Sequence, residues 1–148
     1  YLRPLMGGWV FGCDICQEVC PVNRHALETD ESAFQPRGYA QARPDLLELL
    51  ELSEEDYQRR FKNSAIKRAR RVGLQRNACI ALGNLGDPRA VPALSRALTH
   101  QEPLVSGHAA WALGQIGGEQ SRRALMQAQK AETNADVLKE ISYALSGE

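Results

Sequence analysis

Ala81-Leu82-Gly83-Asn84-Leu85-Gly86 recurs 31 residues later as Ala112-Leu113-Gly114-Gln115-Ile116-Gly117. Leu94 corresponds to Leu125 at the same offset, and Ile141-Ser142-Tyr143-Ala144-Leu145 resembles the end of a third, degraded copy. A period of this length, with Ala and Leu at helical spacing, is typical of antiparallel helix pairs stacked side by side. The repeat therefore predicts a mainly α fold with an α-helical solenoid over residues 73–148.

The residues between the copies agree with this prediction. Gly86 can adopt the left-handed conformation that ends a helix, Asp87 can cap the next helix, and Pro88 suits its first turn. Gly117-Gly118 supplies the equivalent break one copy later. Small residues in both copies should let neighbouring helices approach closely; they are Ala78, Ala81, Gly83, Ala109, Ala112 and Gly114.

Length and composition exclude several classes of protein. With 148 residues, zero net charge and 43% hydrophobic residues, the chain is neither a disordered tail nor a globally basic nucleic-acid binder. No apolar run approaches the roughly 18–20 residues of a membrane span, and no signal peptide is readable. Cysteine spacing indicates metal or redox use in a reducing compartment, so we expect a cytoplasmic protein. Because it begins with Tyr1 in an ordinary segment, we expect the chain to be the C-terminal piece of a longer protein.

Residues 12–21 contain three cysteines in the spacing C-x2-C-x3-C, followed directly by Pro21. Bacterial ferredoxins end their cluster-binding run in this way, which favours Cys13, Cys16 and Cys20 as iron–sulfur ligands. A [4Fe–4S] cluster takes four thiolates, yet the chain has four cysteines in all and Cys79 lies in a helical pattern. We therefore interpret residues 1–30 as part of a ferredoxin-type segment, short and loop-rich, whose site is incomplete.

Two alternatives remain for these cysteines. Together with His25 they form a Cys3His set, which is a common structural zinc site, although it gives Pro21 no role. They could also be ordinary structural or free cysteines. Cys79, between Ala78 and Ile80, is expected to pack as a small hydrophobe.

Residues 31–72 form a predicted helical connector with sharply segregated charge. Turn residues Pro36-Arg37-Gly38 open it, a helix is predicted over residues 45–52, and Ser53-Glu54-Glu55-Asp56 resembles a capping box. Residues 45–56 contain six acids and no base, whereas residues 57–76, the basic block, contain eight bases and no acid. Such a run is often only a solvated face, but clustered Arg side chains can also bind a nucleic-acid backbone. The candidate phosphate contacts are Arg59, Arg60, Lys67, Arg68, Arg70 and Arg71.

Aromatic and histidine side chains offer weaker signals. Trp9 and Phe11 are candidates for base stacking, but we expect them to shield a cluster from water. Trp111 reads as part of a packed repeat helix, and His100 and His108 as structural or surface residues.

The cysteine run, preceded by Arg3-Pro4-Leu5-Met6-Gly7-Gly8-Trp9, closely resembles epoxyqueuosine reductases. The resemblance continues through Phe61-Lys62-Asn63-Ser64-Ala65-Ile66-Lys67-Arg68 and into the first repeat, and so covers nearly the whole chain. One departure is Val22, where the family commonly has Trp after the Cys-Pro pair.

This resemblance implies reduction of epoxyqueuosine to queuosine in the anticodon region of tRNA. It implies two [4Fe–4S] clusters, cobalamin bound by an upstream part of the same polypeptide, and C-terminal HEAT-like repeats that contact tRNA. Cys13 and Cys16 would ligate one cluster and Cys20 the other, with no catalytic residue in this chain. We expect a monomer that contacts no membrane, and we expect the chain alone to be inactive; epoxide reduction by it alone would refute that.

Two other functions compete with this hypothesis. One is a non-enzymatic HEAT-like adaptor with a zinc knuckle, and the other is an electron-transfer subunit with a protein partner instead of RNA. Visible absorption of a cluster separates the first from a reductase, and salt-dependent tRNA binding separates the second.

Overall fold

The computed structural model describes residues 2–34 and 44–147, which belong to two compact units. The smaller unit, Gly12–Asp45, contains the short helix α1, Ile15–Glu18. The larger unit combines Tyr1–Phe11 with Leu46–Glu148. Its helices are α2 (Leu46–Leu50), α3 (Glu54–Arg60), α4 (Arg70–Leu85), α5 (Val91–Ala97), α6 (Pro103–Ile116), α7 (Gly118–Ala131) and α8 (Ala135–Ser146). The predicted turn at residues 36–38 lies outside the described residues.

The larger unit contains the helical solenoid that the repeat predicts over residues 73–148. Helices α4, α6 and α8 pack side by side in one row, and α5 and α7 pack behind them in a second row. Leu94, Leu113, Leu125 and Ile141 are fully buried between the rows. No strand occurs among residues 2–34 and 44–147, so the mainly α fold class is confirmed.

Gly83 and Gly114, which occupy the same repeat position, set the spacing within the first row. A Cβ at Gly83 would lie 2.9 Å from Cα of Ala112, and one at Gly114 would lie 3.0 Å from Cα of Ala144. Neither distance leaves room for a methyl group. The prediction that small residues permit close helix approach is confirmed at both positions.

The predicted helix ends are also observed. Gly86 has φ 66°, and its N–H donates to the Leu82 carbonyl. The Asp87 side chain accepts a hydrogen bond from the Arg89 N–H, with Pro88 in the first turn that follows. At α3, the Ser53 hydroxyl accepts from the Asp56 N–H and donates to the Asp56 carboxylate. The Asp56 carboxylate therefore accepts a hydrogen bond from the same Ser53 hydroxyl that caps the helix.

Gln75 joins the connector to the first repeat. It is 2% exposed, and its Nε2 donates to the carbonyls of Leu50 (2.8 Å) and Leu52 (3.2 Å). Its Oε1 accepts from Arg71 at 2.8 Å. The carbonyls at and just after the end of α2 are thus satisfied by a side chain of α4, and no pattern in the sequence predicted this buried contact.

The N-terminal strap, residues 2–11, lies along the solenoid. Asn84 donates to the carbonyls of Arg3 (2.9 Å) and Gly7 (2.8 Å), and Asn77 donates to that of Val10 (2.6 Å). The Arg3 guanidinium makes two hydrogen bonds to Glu140, of 2.8 and 2.5 Å. The segment predicted as the start of a loop-like zone is therefore anchored to repeat helices.

Candidate functional site

The three cysteines of the smaller unit surround α1. Cys13 precedes the helix, Cys16 lies within it, and Cys20 follows it. Cys13 and Cys16 are exposed, Cys20 is half-buried, and none forms a disulfide. The turn is closed by the Gln17 N–H, which donates to the Asp14 carbonyl at 2.8 Å, and by the Asn23 N–H, which donates to the Cys20 carbonyl at 3.1 Å.

The chemistry of these donors suits an iron–sulfur cluster, because three free thiols lie within eight residues. No group of three or more His, Cys, Asp or Glu side chains is gathered for a metal ion in residues 2–34 and 44–147. The four residues of the alternative zinc set are therefore not assembled either. Any cluster here needs ligands that this described part of the chain does not bring to the cysteines.

Cys79 differs from these three thiols in its burial. It is fully buried in α4, and burial raises its pKa to about 12. A thiol with that pKa stays protonated at neutral pH, whereas the metal ligand is the thiolate. Cys79 is thus a core residue, as its helical neighbours predicted.

The basic block occupies three successive elements. Arg59 and Arg60 lie at the end of α3, Lys67 and Arg68 lie in the 3-10 turn Ala65–Ala69, and Arg70 and Arg71 begin α4. The chain reversal between α3 and α4 brings part of it around one open cleft of about 370 Å³. The cleft lining includes Tyr57, Lys67, Arg70 and Arg71.

Half of the candidate phosphate contacts already pair with the preceding acidic segment. Arg59 pairs with Asp56, Arg60 with Glu48 at 3.4 Å, and Arg71 with Glu54 at 3.0 Å. Hydrogen bonds from Gln58 and Arg71 hold the pKa of Glu54 below its ordinary value. These acids neutralise part of the block.

Lys67, Arg68 and Arg70 are different, because their side chains have no hydrogen-bond or ion-pair partner in the part of the chain that the structure describes. They flank the first turn of α4, which has no capping side chain and no acid. A helix N-terminus carries partial positive charge, and its free N–H groups favour an anion. The electrostatics of this corner therefore suit phosphate.

Arg70 is also conformationally strained, with φ 57° and ψ 161°. A non-glycine residue in this region costs about 1–3 kcal/mol. Arg70→Gly is expected to raise the free energy of unfolding by about 1 kcal/mol, whereas Arg70→Ala, which keeps a Cβ, gives no such gain. Both variants lose the same cation, so charge does not account for a difference between them. Urea unfolding of the two variants tests the difference, and equal stabilities would contradict the strain.

The remaining sequence candidates are placed as follows. Trp111 is half-buried, and the Arg3 guanidinium lies 5.5 Å from its ring centroid. Trp9 and Phe11 are 44% and 41% exposed, and Val22 is exposed.

Burial lowers the pKa of both His100 and His108. Within the described ranges, no helix has the length and apolar character to cross a membrane.

Comparison with known proteins gives three results. Residues 63–146 match the HEAT repeats family. Epoxyqueuosine reductases of Escherichia coli and Bacillus cereus are 40% and 32% identical over 114 and 144 residues, which is 77% and 97% of this chain but 30% and 38% of those proteins. A crystal structure of epoxyqueuosine reductase with a tRNA-Tyr epoxyqueuosine-modified stem loop has a TM-score of 0.90 and 29% identity, covering 99% of this chain and 39% of that one. The sequence resemblance is thus confirmed, and the chain spans about a third of its relatives' length.

Proposed function

For a chain that belongs to the HEAT repeats family through residues 63–146, we propose the role of C-terminal part of an epoxyqueuosine reductase. The observation that carries this proposal is the similarity over 99% of the chain, cysteine segment and repeats together, to the reductase structure with a modified tRNA stem loop. An adaptor built on HEAT repeats alone would not account for similarity in the cysteine segment, and the alternative adaptor with a zinc knuckle differs from a reductase in the metal that it binds.

Cys13 and Cys16 are proposed as ligands of one [4Fe–4S] cluster and Cys20 as a ligand of a second. Cys13 and Cys16 are exposed and Cys20 is half-buried, so all three are at least partly accessible to the remaining thiolates, which an upstream part of the polypeptide would supply. When bound, the clusters supply single electrons and cobalamin, held upstream, supplies the reductive chemistry. The role of this chain's thiols is to hold and orient the clusters.

Lys67, Arg68 and Arg70 are proposed as the principal tRNA phosphate contacts. Their side chains have no ion-pair partner among the residues that the structure describes, and the uncapped first turn of α4 adds N–H donors beside them. Arg59, Arg60 and Arg71 add to the positive field but also hold the acidic segment in place. The contacts are to the backbone, so they position tRNA without reading its sequence.

Turnover by the longer protein that contains this chain tests the proposal. With a reductant, it should convert epoxyqueuosine in tRNA to queuosine, and Cys16→Ser should lower the rate by roughly 100-fold or more because a cluster loses a ligand. Cys79→Ala, which removes a thiol from the core, is the matched control and should retain the rate per folded molecule. Full activity of Cys16→Ser, or no turnover by the parent protein, would contradict the proposal.

A further inference from the structure

We propose that Arg3, Asn77, Asn84 and Glu140 are positioning residues that lock the N-terminal strap to the repeats and thereby make tRNA binding productive for turnover. This inference rests on the proposed function. It assigns a task to side chains outside the cysteine segment and the candidate phosphate contacts, and only Asn77, which accepts from Arg76 at 2.9 Å, contacts a cation of the basic block within the described residues.

The strap is held through its backbone, at two levels of α4. Asn77 and Asn84 lie seven residues apart on this helix, so their side chains project from one face about 10 Å apart along its axis. Asn84 holds the carbonyls of Arg3 and Gly7, which bracket the turn Pro4–Met6. Asn77 holds the Val10 carbonyl, three residues before Cys13.

Arg3 extends the attachment to α6 and α8, the other two helices of the first row. Its guanidinium lies over the ring of Trp111 on α6 and makes a bidentate pair with Glu140 on α8. The two paired side chains are 24% and 28% exposed, so the pair is shielded from water better than an ordinary surface pair. The Arg3 hydrogen bonds hold the pKa of the Glu140 carboxyl below its ordinary value.

The repeat itself shows that these asparagines are specialised. At the 31-residue offset, Asn84 corresponds to Gln115 and Asn77 corresponds to His108. Gln115 is exposed and has no hydrogen bond from its side chain to a described residue. Asparagine is a poor helix former, so two of them inside α4 cost stability unless their amides are used. They occur in the copy whose side chains hold the strap.

Such a lock has a physical consequence for turnover. In the proposed reductase, the strap is the segment of this chain to which the upstream part is joined. If the strap were loose, tRNA bound to the repeats would have a low effective concentration near the reacting groups. A strap fixed to the repeats holds the tRNA in that orientation before the reaction, so less entropy is lost in reaching it. Releasing the strap should therefore lower kcat at saturating tRNA and leave tRNA affinity unchanged.

The test uses the full-length protein with Asn77→Ala, Asn84→Ala and Glu140→Gln combined, and Gln115→Ala as the matched control. We expect amide exchange of residues 3–10 to accelerate at least 10-fold, kcat to fall about 10-fold, and Kd for tRNA and iron content to stay within twofold. A general loss of folding would change all four quantities together. A second test exchanges the charges of the Arg3–Glu140 pair. Arg3→Glu and Glu140→Arg alone should each lower kcat, and the double variant should recover part of the lost kcat.

Accelerated exchange with unchanged kcat would overturn the positioning role, and unchanged exchange would overturn the lock itself. Failure of the unsubstituted protein to reduce epoxyqueuosine would instead refute the proposed function, and the exchange and Kd measurements distinguish the two cases.

Discussion

Gly83→Ala and Gly114→Ala are each expected to lower the free energy of unfolding by about 2 kcal/mol. Each new methyl group would meet the backbone of the next helix in the row, 2.9 Å from Cα of Ala112 or 3.0 Å from Cα of Ala144. Backbone cannot rotate away as a side chain can, so the row must open. The gain of about 1 kcal/mol in helix propensity offsets only part of this cost.

Gly73→Ala is the matched control, because it lies in the same helix as Gly83. A Cβ there has only Ala69 Cβ within 4 Å, at 3.9 Å. This variant should therefore be stabilised by up to about 1 kcal/mol. Thermal unfolding separates the two cases, with a fall of about 4–8 °C for Gly83→Ala and a rise for Gly73→Ala. If Gly83→Ala were as stable as Gly73→Ala, the close approach of α4 and α6 would be refuted.

Reversing Lys67, Arg68 and Arg70 to Glu together is expected to weaken tRNA binding by roughly two orders of magnitude. Among the six candidate contacts, these three have no hydrogen-bond or ion-pair partner within residues 2–34 and 44–147, so each is available to neutralise a phosphate. The slope of log affinity against log salt should fall by about 2–3, since each lost contact releases about one fewer counterion. Arg71 is left unchanged, because its reversal would also break the contacts with Glu54 and Gln75.

Arg122→Glu, Arg123→Glu and Lys130→Glu form the matched control. These three exposed cations lie on α7, where Arg123 pairs with Glu119 at 2.8 Å, and their reversal changes net charge by the same amount. Affinity measured over a salt series should fall far less for this control. Equal losses in the two triple variants would show that net charge alone governs binding and would remove the role assigned to the basic block.

The repeat architecture could be predicted because it depends on local rules. Gly86, Asp87 and Pro88 fix a helix end and the next helix start within three residues, and a period of about 30 residues defines the stacking. Gly83 and Gly114 were identifiable because the same small residue recurs at the same repeat position. Local capping at Ser53 followed from the four residues that form it.

The strap and the buried Gln75 could not be predicted, because their contacts join distant parts of the chain. The Arg3–Glu140 pair spans 137 residues, and Asn84 contacts a segment 77 to 81 residues away. An Asn or Gln inside a helical pattern is ordinarily a surface residue, so its sequence signal is only a slight cost in helix propensity. The basic block was subject to the same limit. Counting charges identified eight cations, but it could not show which of them are neutralised by Glu48, Glu54 and Asp56.

Anaerobic quantification of iron, sulfide and cobalt in the longer parent protein determines whether Cys13, Cys16 and Cys20 hold clusters. We expect about eight irons with matching sulfide and one cobalamin, since two [4Fe–4S] clusters are proposed. Iron should be lost in Cys13→Ser, Cys16→Ser and Cys20→Ser but not in Cys79→Ala. Zinc in place of iron and cobalt would contradict the proposed clusters, and would identify the cysteine segment as a structural knuckle on a HEAT-repeat binding protein.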